Sequence, residues 1–168
     1  MFEIFLPYLI GTALGISPQS APKNNEMASV GEASGDIALD RTPEDQTPTG
    51  QFTTATEIKP ILNATMGSWV AVRNWEGQDL VYFTQLLAWR CGIWDISYGI
   101  NGADPDQVLP MEPCHEGTNS PNALTDIENF LPYVVLPENT VENLTVQLTL
   151  DDGSVLINSY DRPAIQMP

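Results

Sequence analysis

The sequence predicts a mainly β protein, an antiparallel β-sandwich of the immunoglobulin type or a related one, with one or two short helices and a disordered N-terminal leader. Two observations lead to this prediction: about six short strand-like runs are separated by turn residues, and helical periodicity is scarce. In addition, 42% of the 168 residues are hydrophobic, which is enough for the core of one domain. We expect that domain at residues 53–168.

The amino terminus has the features of an exported chain. Residues 4–16 are apolar, but the run is too short for a bilayer, which needs about 20 such residues. It is typical of a secretory signal, although no basic residue precedes it. We expect a signal peptide at 1–21, with an apolar helix packed on the domain as the alternative. Residues 22–52 are rich in Pro, Ser, Gly, Thr and acidic side chains and are predicted to form a disordered linker.

The predicted domain opens with a helix and two strands. Thr54 and Glu57 have the spacing of a capping box, and Pro60 is expected to limit the helix to one or two turns. Residues 69–75 and 80–90 follow as strands around a turn at 76–79. The second run is apolar on both faces, which predicts a central strand covered on both sides. A helix is the alternative there, because some of its apolar residues also recur every three to four positions.

Three further runs predict the rest of the sheets. Residues 95–101 alternate in polarity and end at an Asn-Gly turn. Residues 131–137 are bounded by prolines, which places this strand at an edge. Apolar residues at every second position of 144–150, a turn at 151–153 and the run 154–160 predict a hairpin.

The loop at 102–122 is long for a compact domain and contains four prolines. It carries Cys114, and the other cysteine, Cys91, ends the predicted central strand. In an exported chain such a pair most simply forms a disulfide, here worth about 3 kcal/mol by the entropy of the loop it closes. We therefore expect the Cys91–Cys114 bond to fix this loop on the domain.

The same loop holds the residues with chemical potential, and we treat it as the candidate functional loop. Its candidate residues are Asp104, Asp106, Glu112, His115 and Glu116. Cys114, His115 and the neighbouring glutamates could supply metal ligands. A zinc site would also need a second His or a spaced pair of Cys residues, and neither is present, so no metal site is predicted. An oxygen-rich turn at 101–106 departs from a calcium loop, and turn chemistry explains its residues. No catalytic residue and no cofactor is predicted.

Charge excludes several classes of partner. The chain has 22 acidic and 6 basic residues and a formal charge of -16. Nucleic acid binding requires clustered cations, and anionic membranes repel such a surface. We expect no nucleic acid partner, and because the apolar run at 4–16 is too short we also expect no stable membrane span.

The run at 82–103, followed by the Pro-Cys-His-Glu segment at 113–116, resembles a group of small bacterial exported proteins with no assigned activity. The shared features are an aromatic strand, a Trp-Arg-Cys-Gly corner at 89–92 and an Asn-Gly turn at 101–102. The resemblance covers about a third of the chain, the scale at which short motifs remain hypotheses. It implies that residues 69–122 form one unit, and it transfers no catalytic residues.

These observations predict a non-enzymatic binding or structural module that is periplasmic or secreted. Its partner would be an unknown protein or a small ligand in the cell envelope. The alternative is a hydrolase or carbohydrate-active protein that uses the acidic and aromatic loop 102–122.

Overall fold

The computed structural model describes residues 41–168, and Pro43–Pro168 forms one compact unit. The predicted signal peptide and most of the predicted linker lie outside the described residues. The compact unit begins earlier than residue 53, the predicted start of the domain. Hydrogen bonds explain the difference: Glu44 donates its amide to the carbonyl of Asp151 at 2.8 Å, and Gln46 Nε2 donates to Asp151 Oδ1 at 2.9 Å.

The described part contains seven strands and three short helices, with 3₁₀ turns at Met66–Ser68 and Arg90–Gly92. In chain order the elements are α1 (Ala55–Ala64), β1 (Ala71–Trp75), β2 (Gln78–Tyr82), α2 (Thr84–Leu87), β3 (Ile93–Ile100), β4 (Gln107–Val108), β5 (Tyr133–Pro137), β6 (Asn143–Leu150), β7 (Val155–Asp161) and α3 (Arg162–Ile165). The prediction of a mainly β fold is confirmed.

The strands form two antiparallel sheets, one in the order β1-β2-β5 and the other in the order β4-β3-β6-β7. The first, second and fifth strands thus share one sheet, and the third, sixth and seventh share the other. Immunoglobulin-type sandwiches distribute their A, B, E and C, F, G strands in this way. The topology therefore belongs to that class, with β4 as a short extra edge beside β3.

One hydrophobic core serves both sheets and α1. Val72 and Val81 enter it from the first sheet, while Leu144 and Leu148 enter it from the second. Trp69 is fully buried in it, and its indole Nε1 donates to the carbonyl of Leu62 at 2.9 Å. A buried tryptophan requires such a partner for its N–H group.

Helix α1 begins as predicted but is longer. Thr54 Oγ1 accepts from the amide of Glu57 at 3.2 Å, and the Glu57 carboxylate accepts from the amides of Gly50 and Thr53. The expectation that Pro60 would limit the helix to one or two turns is wrong, since the helix has 10 residues and continues through it. Pro60 lies on the exposed side of the helix, where the carbonyl that loses a partner can be hydrated.

The predicted central strand at 80–90 is wrong beyond Tyr82. The last sheet bond comes from the amide of Phe83 to the carbonyl of Pro132 at 2.8 Å, and the chain then curls into α2 and the 3₁₀ turn at Arg90. This path brings both Leu86 and Leu87 into the same hydrophobic core, whereas a strand would have pointed them to opposite faces of the sheet. The helical alternative was therefore correct for the second half of the run.

The β6–β7 hairpin is confirmed. Leu144, Val146, Leu148 and Leu150 are fully buried, whereas the residues between them are half-exposed. No helix among the described residues is long and apolar enough to cross a membrane.

Candidate functional site

The predicted disulfide is present. Cys91 and Cys114 are bonded, with their Cα atoms 5.1 Å apart, and the bond joins positions separated by 23 residues. Cys91 lies in the 3₁₀ turn Arg90–Gly92, between α2 and β3. The bond therefore fixes the proline-rich loop to this turn. We call residues 109–125 the latched loop.

Arg90, next to Cys91, is the residue that organises the latched loop. Its side chain is buried, and its guanidinium group makes five hydrogen bonds, all to backbone carbonyls. The acceptors, at 2.6 to 3.3 Å, are the carbonyls of Leu87, Glu112, Pro113, Asn122 and Ala123. A guanidinium group has five N–H donors, and Arg90 uses four of these hydrogen bonds to hold both arms of the loop and the fifth on Leu87.

Glu112 supplies the opposite charge. Its carboxylate is buried, and Oε2 lies 3.8 Å from Nη2 of Arg90. It accepts from the amides of Thr125 and Asp126 at 3.0 to 3.1 Å and from the hydroxyl of Thr125 at 2.8 Å. Burial would raise the pKa of Glu112, but the hydrogen bonds outweigh it and lower the pKa to about 2. The group is therefore an anion at neutral pH, and it joins the two arms of the loop.

His115 packs against this carboxylate. Its Nε2 lies 2.5 Å from Glu112 Oε2 and 3.2 Å from Thr125 Oγ1, and its side chain is 31% exposed. Because Glu112 is an anion, Nε2 carries the proton and donates it. A histidine nitrogen takes a proton from a hydroxyl only if it carries no proton of its own, which in the Ser-His-Asp arrangement is the nitrogen turned away from the carboxylate. Here both groups face the same nitrogen, so Thr125 is not activated by His115.

The remaining predicted residues lie apart from this cluster. The hydrogen bonds of Asp106 are within its own turn, from Gln107 Nε2 at 3.3 Å and to the carbonyl of Asp104 at 2.8 Å. Glu116 is exposed and lines a cleft beside the disulfide. The structure therefore brings Glu112 and His115 into contact, but it does not add Asp104, Asp106 or Glu116 to their hydrogen-bonded group.

The cleft beside the disulfide has a volume of about 250 Å³. Its lining includes the acidic residues Glu44, Asp45 and Glu116 and the neutral polar residues Thr49 and Gln51. Cys91 and Cys114 both line it. The latched loop and the segment before α1 thus share one open, polar surface.

The tryptophans have structural contacts. Trp89 packs edge-on against Phe52 with ring centres 5.3 Å apart, and the guanidinium of Arg73 lies 4.2 Å above the ring of Trp75. Trp94 Nε1 donates to Glu44 Oε2 at 3.2 Å. Trp69 is in the core and Trp75 is 45% exposed, so the four do not share one surface.

Sequence reasoning missed Arg90, Asn122 and Thr125, which hold the loop. Asn122 accepts from the amide of Cys91 at 2.8 Å and donates to the carbonyl of Phe52 at 3.0 Å. A signal for Arg90 was available: it is the one cation in the apolar run from 80 to 94, and such a residue rarely enters a core without a polar partner.

No group of three or more His, Cys, Asp or Glu side chains in residues 41–168 is arranged to hold a metal ion. Comparison of the chain with protein-family models, with curated proteins and with solved structures gives no match. The proposed function therefore rests on the burial and the contacts of the residues in the latched loop.

Proposed function

We propose that this chain is a non-catalytic binding or structural module that acts outside the cytoplasm, in the periplasm or as a secreted protein. The observation that carries the proposal is the use of Arg90 and Glu112. Both are charged, buried and saturated with contacts inside the chain, whereas a catalytic charge needs access to a substrate.

The disulfide supports the extracytoplasmic part of the proposal. Structural disulfides persist in oxidising compartments and are rare in the cytosol. The bond between Cys91 and Cys114 leaves no free cysteine among the described residues. The signal-like start of the sequence points to the same compartment.

A rigid loop on a β-sandwich supports the binding part. Covalent, ionic and hydrogen-bonded contacts hold the latched loop before any ligand arrives. A loop fixed in advance loses little conformational entropy on binding. Loops of this kind, placed at the end of a sandwich, are where such folds carry recognition.

The compartment is tested by fusing the full chain to alkaline phosphatase, an enzyme that is active only after export. We expect activity with residues 1–168 and none with a matched fusion that lacks residues 1–21. An inactive full-length fusion would contradict the extracytoplasmic proposal.

The absence of catalysis is tested with chromogenic esters, glycosides, peptides and phosphoesters. The matched variant is His115→Ala, because this side chain is partly exposed and its removal leaves the Thr125 and Asp126 bonds to Glu112 in place. We expect no turnover by either protein. Turnover that drops tenfold or more in the variant, with folding unchanged, would instead support the hydrolase alternative.

A further inference from the structure

Strand β7 is the unprotected edge of this sandwich. It has seven residues and pairs with β6 in an unbroken register, with no bulge. From Val155 to Tyr160 it contains neither a charge nor a proline. Natural sheets usually block such an edge with a lysine, a proline, a bulge or a covering segment. None of these four devices is found along β7 in the described part of the chain.

The other edges have protection. The carbonyl of Val72 in β1 accepts from the amide of Met167 at 2.7 Å, so the segment after α3 covers that edge. Strand β5 is shorter and is bounded by Pro132 and Pro137, which lack N–H donors. Strand β4 has only two residues. Of the edge strands in the described part of the chain, β7 is therefore the one that is both long and uncovered.

The register shows which backbone groups of β7 are available. The amide of Leu150 donates to the carbonyl of Ser154, and the amide of Arg162 donates to that of Glu142, at 2.8 and 2.9 Å. Since bonds to one neighbour alternate along an antiparallel strand, the even-numbered residues of β7 bond to β6. The N–H and C=O groups of Val155, Ile157 and Ser159 therefore point to the open side.

The side chains at this edge are also unusual for so acidic a chain. Val155 and Ile157 point away from the core and are 51% and 54% exposed. Across the sheet they lie beside Thr149 and Gln147, so the outer surface next to the edge is uncharged and partly apolar. A strand added here would gain backbone hydrogen bonds and cover both aliphatic side chains.

We propose that β7 binds an extended, basic segment of another protein by strand addition, with apolar side chains at alternate positions of that segment. This inference rests on the proposed binding role. Net charge selects the partner: the chain carries a formal charge of -16, so a basic segment is attracted and a second copy of the same chain is repelled. Asp161, exposed at the end of β7, gives the basic segment a local anion.

The probe is a nine-residue peptide of alternating lysine and valine. The control peptide has the same charge but a central proline and N-methylated valines, so it cannot pair along a strand. We expect the first peptide to slow amide exchange at Val155, Ile157 and Ser159 of the full chain, and the control peptide to leave these amides unchanged.

Two variants locate the effect. Ile157→Pro removes an outward N–H without breaking a bond to β6, whereas Ile157→Thr keeps it. We expect the first to weaken binding at least tenfold and the second to change it less than threefold. Equal binding of both peptides, unchanged affinity in Ile157→Pro, or dimerisation of the chain through β7 without peptide would overturn the proposal. Export and loop order do not involve β7, so these failures leave the proposed function standing.

Discussion

Two arginines of the domain, the buried Arg90 and the partly buried Arg162, are stabilised by different kinds of partner. Arg162 pairs with Asp79 through two bonds, of 2.7 and 3.0 Å, and also donates to the carbonyl of Val141. Arg90 donates to five carbonyls, and its nearest carboxylate oxygen lies 3.8 Å away. Arg162 is therefore stabilised mainly by one anion, whereas Arg90 is stabilised mainly by four backbone carbonyls of the latched loop.

The two arginines therefore stabilise different parts of the molecule: Arg162 stabilises a junction between secondary-structure elements, and Arg90 stabilises the latched loop. The Asp79–Arg162 pair connects the start of α3 to β2 and, through the carbonyl of Val141, to the segment just before β6. Removal of that pair disturbs one junction between elements. Removal of Arg90 leaves carbonyls in both arms of the latched loop without donors, and buried carbonyls without partners are costly.

The largest effect is expected from a comparison of Arg90→Met with Arg162→Met. The first should lower the free energy of unfolding by about 5 kcal/mol, because it leaves the loop carbonyls without donors and the buried Glu112 without the charge of Arg90. The second should cost about 3 kcal/mol, since Asp79 alone loses its counter-charge.

Urea denaturation measures both values. Arg90→Lys is the control for charge, and it should recover only part of the loss because lysine has three donors in place of five. Equal costs for Arg90→Met and Arg162→Met would contradict the distinction between the two residues.

The next effect is that of the disulfide. Replacement of Cys91 and Cys114 by serine should lower the free energy of unfolding by about 3 kcal/mol, since the open chain gains entropy when unfolded. The measurement is a urea titration of the double variant beside the oxidised protein. A loss near zero would show that the bond adds nothing to contacts made by Arg90.

Acid should act on both regions together. The pKa of Asp79 is lowered to about 2, chiefly by the hydrogen bond from Arg162, and that of Glu112 reaches a similar value. A depressed carboxyl pKa gives stability that is complete above the unfolded-state pKa and is lost as pH falls toward the folded value. Unfolding free energy should therefore decline between about pH 4.5 and 2.

The pH series is read from urea midpoints. Asp79→Asn should reduce the acid-induced loss of unfolding free energy by the contribution of the Asp79–Arg162 pair and leave that of Glu112 unchanged. An unchanged slope in that variant would contradict the assignment of the decline to Asp79.

Asp151 offers the smallest effect, of opposite sign. Its carboxyl is buried, Oδ2 has no hydrogen-bond partner among the described residues, and burial raises its pKa, with Glu44 and Asp152 adding to the effect. Stability from such a group is lost as pH rises. Asp151→Asn keeps an acceptor for the amide of Ala55 and should stabilise the protein at pH 7 by up to about 1 kcal/mol. A clear loss of stability would contradict this prediction.

Local patterns predicted the parts of the fold that local chemistry controls. Alternation gave β6, the capping pair Thr54 and Glu57 gave the start of α1, and the two cysteines gave the disulfide. The run at 80–90 failed because its apolar residues fit both periods and tertiary burial of Leu86 and Leu87 decided the outcome.

The candidate site was predictable only as a place. The loop and two of its residues, Glu112 and His115, were identified from sequence, and the structure joins them. Their role was not predictable, because it depends on Arg90, which lies 22 residues before Glu112, and on Thr125 beyond the next turn. Contacts of this kind come from the folded arrangement and leave no periodic signal.

Amide exchange in the variant that lacks the disulfide tests directly whether Arg90 and Glu112 hold the latched loop. If Arg90 and Glu112 hold the latched loop, the amides of Thr125 and Asp126, which donate to Glu112, stay protected in the Cys91→Ser, Cys114→Ser protein. Nuclear magnetic resonance in deuterated buffer reports each amide separately. Protection within tenfold of the oxidised protein is the expected result, and exchange at the rate of an unfolded chain would contradict the central claim.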